Sequence, residues 1–279
     1  MNLRNILFAT DFSSCSEAAL QCATAVATRF QAKLFVAHVI SETLFADVPA
    51  DVQTEARIRT IADVKKRLEE LGSRLQAEII LEEGPVADVL LALAESRSID
   101  LLVVGTQGHG RLQRLLLGSV AEKLSLQARC PVLVVPEASM NRKSGVSRIL
   151  CPTSFSERSA ATLEQAWQLA KTFSAQIILL HVVAPALSRA DRVAERTAAE
   201  EPLSRLSSFL SAGDRSRAAE LAVEFGSPAD TIVRVARERD ADLIVLSIQR
   251  GKPALAHLPP EITYTVAADA PCPILTFAI

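Results

Sequence analysis

The stretch NILFATDFS, Asn5–Ser13, returns at Arg148–Ser156 as RILCPTSFS. Ile6 falls on Ile149, a shift of 143 positions, and the same shift carries Ala18 to Ala161, Leu20 to Leu163, Ala27 to Ala170, Phe30 to Phe173 and His38 to His181. Farther along, Gly84 falls on Gly226, Asp100 on Asp242 and Cys130 on Cys272, each at a shift of 142. One net deletion between His181 and Gly226 accounts for the difference. A register held this long marks a duplication, and its period is far too long for a solenoid. Each copy is a domain, 1–137 and 148–279, with the polar segment 138–147 as the linker.

Each copy repeats one grammar. In the first, the apolar run Ile6–Ala9 precedes a helical stretch from about Ser16 to Arg29. Leu34–Ile40 precedes a variable segment and a charged amphipathic stretch to about Leu75. Then come Ala77–Leu81, a helix over Val86–Ser96, Leu101–Val104, a helix over about Ser119–Gln127, and Val132–Val135. The runs are short, continuous and rich in β-branched residues, as parallel strands covered on both faces are. Strand–helix alternation implies right-handed crossovers, so the expected fold is α/β, two doubly wound domains with helices on both faces of each sheet.

Bulk composition agrees with a globular chain. Of 279 residues, 49% are hydrophobic and 22% charged, which excludes disorder. With 4% aromatic residues, the core must be mainly Leu, Val, Ile and Ala. A net charge of −2 gives no reason to expect nucleic acid or an anionic membrane as partner. No window approaches the roughly 18 uninterrupted apolar residues of a membrane span. The cysteines, Cys15, Cys22, Cys130, Cys151 and Cys272, form no CxxC pair and no Cys/His cluster. An odd count without a framework fits a reducing cytoplasm, and the thiols read as small buried hydrophobes.

The chemistry concentrates in Val104–Val135, VGTQGHGRLQRLLLGSVAEKLSLQARCPVLVV. A buried strand runs straight into Gly105-Thr106-Gln107-Gly108-His109-Gly110, where glycine admits left-handed backbone and close approach of a ligand. Gly118-Ser119 then opens a helix, and Ser119 and Glu122 have the S-x-x-E spacing of a capping box. Free N–H groups at such a start bind anions, aided by the helix dipole. No GxxxxGK[ST] occurs, so this is not a Walker loop, and Gly108-His109-Gly110 matches the dinucleotide G-x-G-x-x-G only in part.

The spacing, Gly105, two residues, Gly108, nine residues, Gly118-Ser119, resembles that of the universal stress protein family. ATP-binding members of that family carry G-x2-G-x9-G-[ST] after the fourth strand and an aspartate after the first. Asp11 supplies the aspartate here, and CPVLVVP at Cys130–Pro136 is also typical. The resemblance spans both copies and implies a five-stranded parallel sheet of order 3-2-1-4-5 in each. It implies that Ala9, Thr10 and Asp11 line the adenosine end of an ATP site. Val39, just after the second strand, would contact adenine through its backbone, and Gly105 would face the ribose. Gly108, His109, Gly110, Gly118, Ser119 and Val120 would hold the phosphates. Ala9 stands where proline is frequent in the family, and Gln107 where His or Arg is frequent. Arg111 and Arg114 follow the loop and could supply positive charge. Asp11 could help hold Mg²⁺ at the phosphates.

Each residue also has a plainer reading. Asp11 could cap the next helix, Ser119 could be a cap and no more, and Arg111 and Arg114 could be solvated. His38, in an apolar strand and repeated as His181, reads as a satisfied strand-end histidine.

The second copy lacks these residues. Asp11 corresponds to Ser154, Gly105 to Ser247, Gly108 to Arg250, Gly118 to Pro260 and Ser119 to Glu261. Arginine and proline lack glycine's backbone freedom, and a carboxylate at a helix start repels a phosphate there. ATP is therefore expected in domain 1 only. Val132–Val135 and Ile274–Phe277 are apolar edge strands that need cover. Family members often pair through their last strands, so the two domains are expected to form an intramolecular pseudo-dimer. A homodimer and a protein partner of unknown identity stay open. The expected function is a cytoplasmic stress-response sensor or regulator working through bound ATP. No general base, metal carboxylate pair or catalytic lysine accompanies the glycine loop, so at most a slow ATPase is expected. The alternative is a nucleotide-independent interaction module, or a binder of another small molecule through domain 2.

Overall fold

The computed structural model describes residues 2–46, 48–106, 117–140, 145–184, 192–210, 219–248 and 260–278. They divide into two compact units, one built from Asn2–Leu112 and Gly118–Met140, the other chiefly from Asn141–Ile279.

In the first unit, β1 (Asn5–Ala9) leads to α1 (Ser14–Phe30), β2 (Lys33–Ile40), a 3-10 turn at Glu42–Phe45 and the long α2 (Ala50–Leu75). Next come β3 (Glu78–Glu83), α3 (Val86–Ser96), β4 (Leu101–Gly105), α4 (Ser119–Gln127) and β5 (Val132–Val135). All its strand pairs are parallel, in the order β3-β2-β1-β4-β5. Ile6 pairs with Leu34 on one side and Leu101 on the other. Residues 6–8 of β1 are buried in succession, as are all four of β5. Successive side chains point to opposite faces, so both faces are covered.

The second unit repeats the plan with β6 (Arg148–Pro152), α5 (Glu157–Phe173), β7 (Gln176–Val183) and α6 (Arg192–Phe209). It continues with β8 (Ala219–Phe225), α7 (Pro228–Glu238), β9 (Leu243–Ile248), α8 (Pro260–Asp269) and β10 (Ile274–Ala278). Its order is β8-β7-β6-β9-β10, again all parallel. Part of the expected linker is structured: Glu137–Ser139 forms a 3-10 turn, with Ser139 buried.

The repeated residues carry matching contacts. Asp100 Oδ2 accepts the backbone N–H of Arg4 at 2.7 Å and of Asn5 at 2.9 Å, fastening the start of β1 to the start of β4. Asp242 Oδ2 accepts those of Ser147 at 2.9 Å and Arg148 at 3.0 Å. Gly84 and Gly226 follow β3 and β8 with φ of +140° and +143°, a region that side chains disfavour. Arg97 pairs with Glu78 at 2.5 Å, and Arg239 with Glu220. The strand-end histidines are satisfied, with His38 Nδ1 2.8 Å from the Thr10 carbonyl and His181 Nδ1 2.9 Å from that of Thr153.

One cluster was not anticipated. Phe12 and Phe155, just past β1 and β6, hold φ of 61° and 60°. A bulky residue at positive φ is strained and persists only where its surroundings hold it. Phe12 stacks on His38 at 5.2 Å and lies beneath the Arg67 guanidinium at 3.9 Å. Phe155 meets His181 at 4.3 Å and Arg205 at 4.2 Å.

Candidate functional site

In an open parallel sheet, ligands bind beyond the carboxyl ends of the strands where the order reverses. Here that point is β1/β4, since β1 pairs with both β2 and β4. The chain after β1 and the chain after β4 therefore emerge side by side.

After β1, nearly every polar group has a local task. Thr10 N–H donates to the Ala37 carbonyl at 2.9 Å. Thr10 Oγ1 donates to Ser16 Oγ at 3.1 Å and accepts the Phe12 N–H at 3.0 Å. Asp11 Oδ1 accepts both the N–H and the hydroxyl of Ser13, at 3.0 and 2.6 Å. Ser13, not Asp11, is the N-cap of α1, accepting from Ser16 N. Asp11 thus braces the cap from outside. At the matching place, the Ser154 hydroxyl lies 3.2 Å from Ser156 Oγ and 3.1 Å from Ser159 Oγ. The helix start needs polar bracing in both copies, but only the first uses a carboxylate.

Val39 is not past the second strand: it lies inside β2, buried, in register with Glu82. Ala37 O faces β1, where Thr10 N–H takes it, while Ile40 O faces away and accepts Gly84 N–H. Strand alternation turns the peptide groups of Val39 toward the β1 side, beyond the last paired residue, Ala9. A backbone contact from Val39 is geometrically available there.

Gly105 ends β4 for a reason the sequence did not disclose. A Cβ on it would lie 2.9 Å from Cys15 Cβ and 3.0 Å from the Cys15 carbonyl carbon. Close packing of α1 on β4 therefore demands glycine, whatever it faces. Ser247 stands there in the second copy, where Arg158 replaces Cys15 in the repeat register.

The expected capping box at Ser119 does not form. Gly118 is the N-cap of α4, in extended conformation (φ −61°, ψ 144°), and no side chain caps the helix. Ser119 is the first helical residue and is exposed. Gly118 N–H donates to the Thr106 carbonyl at 2.7 Å, and Glu122 N–H returns to Gly118 O at 2.9 Å. The N–H groups of Ser119, Val120 and Ala121 have no acceptor within the helix. They leave a start with partial positive charge; among the described residues no side chain caps it by a hydrogen bond, and Glu122 is the acidic residue of its first turn. In the second domain α8 begins one position earlier by the repeat register, at Pro260. Proline suits a first helical position, and it removes the donor that Gly118 has.

Gln107, Gly108, His109, Gly110, Arg111 and Arg114 lie outside the described residues, as does Arg250. Among the described residues no three His, Cys, Asp or Glu side chains gather as a metal site, and no helix is long and apolar enough to cross a membrane. No disulfide joins any of the five cysteines. Burial pushes Cys22 up to about 11 and Cys151 up to about 12, so both are neutral thiols near pH 7.

The sequence profile of the Universal stress protein family matches this chain twice, over residues 2–136 and 145–277. The chain belongs to the universal stress protein family. Universal stress protein MJ0531 of Methanocaldococcus jannaschii is 35% identical over 140 residues, covering 47% of this chain and 81% of the relative. Universal stress protein YxiE of Bacillus subtilis is 31% identical over 146 residues, 47% of this chain and 97% of the relative. A universal stress protein from Archaeoglobus fulgidus has a solved structure that superposes at a TM-score of 0.71, covering 100% of this chain and 99% of its own, with 18% identity. That likeness concerns the fold. The tandem α/β architecture expected from the repeat is thus the architecture of this universal stress protein.

Proposed function

We propose that this universal stress protein is cytoplasmic, binds ATP in its first domain only, and regulates a stress response through the bound state. The observation that carries the reading is the start of α4. A positively polarised helix N-terminus, with glycine as its N-cap and no side-chain cap hydrogen bond, completes the glycine-hydroxyl spacing at the switch point of the sheet. The phosphates fit the N–H groups of Ser119 and Val120 and the Ser119 hydroxyl. Ala9, Thr10 and Asp11 border the adenosine end, and the Val39 backbone reaches adenine. Gly105 keeps β4 tight on α1 and leaves space beside the ribose. Gly108, His109 and Gly110 complete the phosphate loop, and Asp11 holds Mg²⁺ if the metal accompanies ATP. The second domain, with Ser154 and Pro260 at the matching positions, does not take ATP in this pose.

Equilibrium binding of ATP to the purified full chain tests the assignment. Gly118→Asp places a carboxylate at the anion site, with an expected loss of at least about 100-fold, near 2.7 kcal/mol. Unchanged affinity would remove α4 from the site.

A further inference from the structure

A cleft of about 310 Å³ lies between α1 and α2. Phe8, Leu20 and Leu71 give it an apolar floor, with Phe12 at one end. The Thr10 hydroxyl donates to Ser16 Oγ, whose own proton goes to the Ser13 carbonyl. Charged side chains form its walls: Glu17 from α1, and Arg67, Glu70 and Arg74 from α2.

The α2 residues stand at i, i+3 and i+7, so they share one face of the helix, turned into the cleft. Glu70 is spaced to pair with either arginine, yet it pairs with neither. Among the described residues Glu17, Glu70 and Arg74 form no ion pair, and Arg67 rests on the Phe12 ring. Two exposed carboxylates and two exposed guanidinium groups therefore line the same cleft without pairing with one another.

The second domain shows which of these residues the fold requires. Thr153, Phe155, Ser159, Leu163 and Arg205 repeat Thr10, Phe12, Ser16, Leu20 and Arg67. Glu17 becomes Ala160, and in the register that aligns Arg67 with Arg205, Glu70 becomes Ser208. The cradle recurs and the carboxylates do not.

We propose that the α1–α2 cleft binds a free α-amino acid with an apolar side chain. Glu17 and Glu70 take its ammonium group, Arg67 and Arg74 take its carboxylate, and the apolar side chain lies over Leu20 and Leu71. An amino acid offers a partner to both signs of wall charge, whereas a ligand with one charge leaves either the carboxylates or the guanidinium groups unpaired. The cleft volume is at the small end for ligand pockets, suited to an amino acid rather than to a nucleotide triphosphate. This site adjoins the nucleotide site proposed above at Thr10, while Glu17, Arg67, Glu70 and Arg74 belong to the cleft alone.

The test is calorimetric and NMR titration of the full chain with L-leucine and L-phenylalanine. Isovalerate, which lacks the ammonium, and L-leucinamide, which lacks the carboxylate, serve as controls. Saturable binding of at least one amino acid is expected, with Kd below about 1 mM, and at least about tenfold weaker binding of both controls. The double variant Glu17→Ala, Glu70→Ser reproduces the second domain at exposed positions. It should lose the amino acid by at least about tenfold while ATP affinity is unchanged. The proposal is overturned if neither amino acid saturates by about 10 mM, if isovalerate or leucinamide binds as well, if the double variant binds normally, or if ATP displaces the amino acid.

Discussion

The two domains can be compared position by position: they agree where the strands are fastened and turned, and they differ at the acid, glycine and hydroxyl positions beyond β1 and β4. Asp100 and Asp242 tie the same two strands by the same pair of hydrogen bonds. Gly84 and Gly226 take the same backbone conformation within a few degrees. Beyond β1 and β4, by contrast, Asp11, Gly105 and Gly118 give way to Ser154, Ser247 and Pro260. On the proposed reading, the duplication relaxed what only the nucleotide required and kept what the fold requires. Gly105 belongs partly to the second kind: its glycine is needed for the packing of α1 on β4 in the first domain.

If the matched contacts are fold devices, their removal must cost the same in either copy. Asp100→Ala and Asp242→Ala should each destabilise their own domain by about 2 kcal/mol, since each strips a charged acceptor from two backbone donors. Urea unfolding measures this. Trp167, the sole tryptophan, lies buried on α5 and reports the second domain, while far-UV circular dichroism reports both. A large loss in one domain with none in the other would break the comparison.

Gly84→Ala and Gly226→Ala come next, at about 1–2 kcal/mol each. The cost should be higher at Gly226, where a Cβ would approach Thr231 Oγ1 to 2.8 Å, against 3.2 Å to Val89 Cγ2 at Gly84. Thermal denaturation would show whether that order holds.

Arg67→Ala and Arg205→Ala remove the cation stacked on Phe12 or Phe155, with an expected loss of about 0.5–1 kcal/mol in either domain. ATP affinity should not change in Arg67→Ala. A marked fall would move this cluster from the fold to the nucleotide site.

The smallest effect concerns Glu78. The hydrogen bond from Lys33 is the main cause that holds its carboxyl below the ordinary value; desolvation opposes it and Arg97 adds to it. A carboxyl depressed in the folded state contributes stability above its unfolded pKa, lost as pH falls through the folded value. Gln176 replaces Lys33 in the second copy. Lys33→Gln should therefore raise the Glu78 pKa, and the stability difference from the parent should vanish in acid. NMR titration of the Glu78 carboxyl carbon checks the first point, and urea midpoints across pH the second.

Much of this architecture was legible because the sequence carries its own control. Continuous β-branched runs placed the strands, and the bounds of α3, α4 and β5 match their periodic stretches. Three features were not legible. The S-x-x-E pattern at Ser119 suggested a side-chain cap, but the chain enters α4 one residue earlier, with Gly118 as cap. The packing need at Gly105 was hidden because a contact 90 residues away, with Cys15, leaves no trace in local spacing. The Phe12–His38–Arg67 cluster joins three elements, and its arginines sit at a shift of 138 rather than 143, because the intervening segment differs in length. The signal that could have found it is the recurrence of Phe12 and His38 as Phe155 and His181.

The most direct test of the asymmetry is the stoichiometry of ATP on the intact chain, read by native mass spectrometry and by calorimetry at saturating ATP. One ATP per chain, abolished by Gly118→Asp, is the predicted result; two per chain, or one that survives Gly118→Asp, would contradict it.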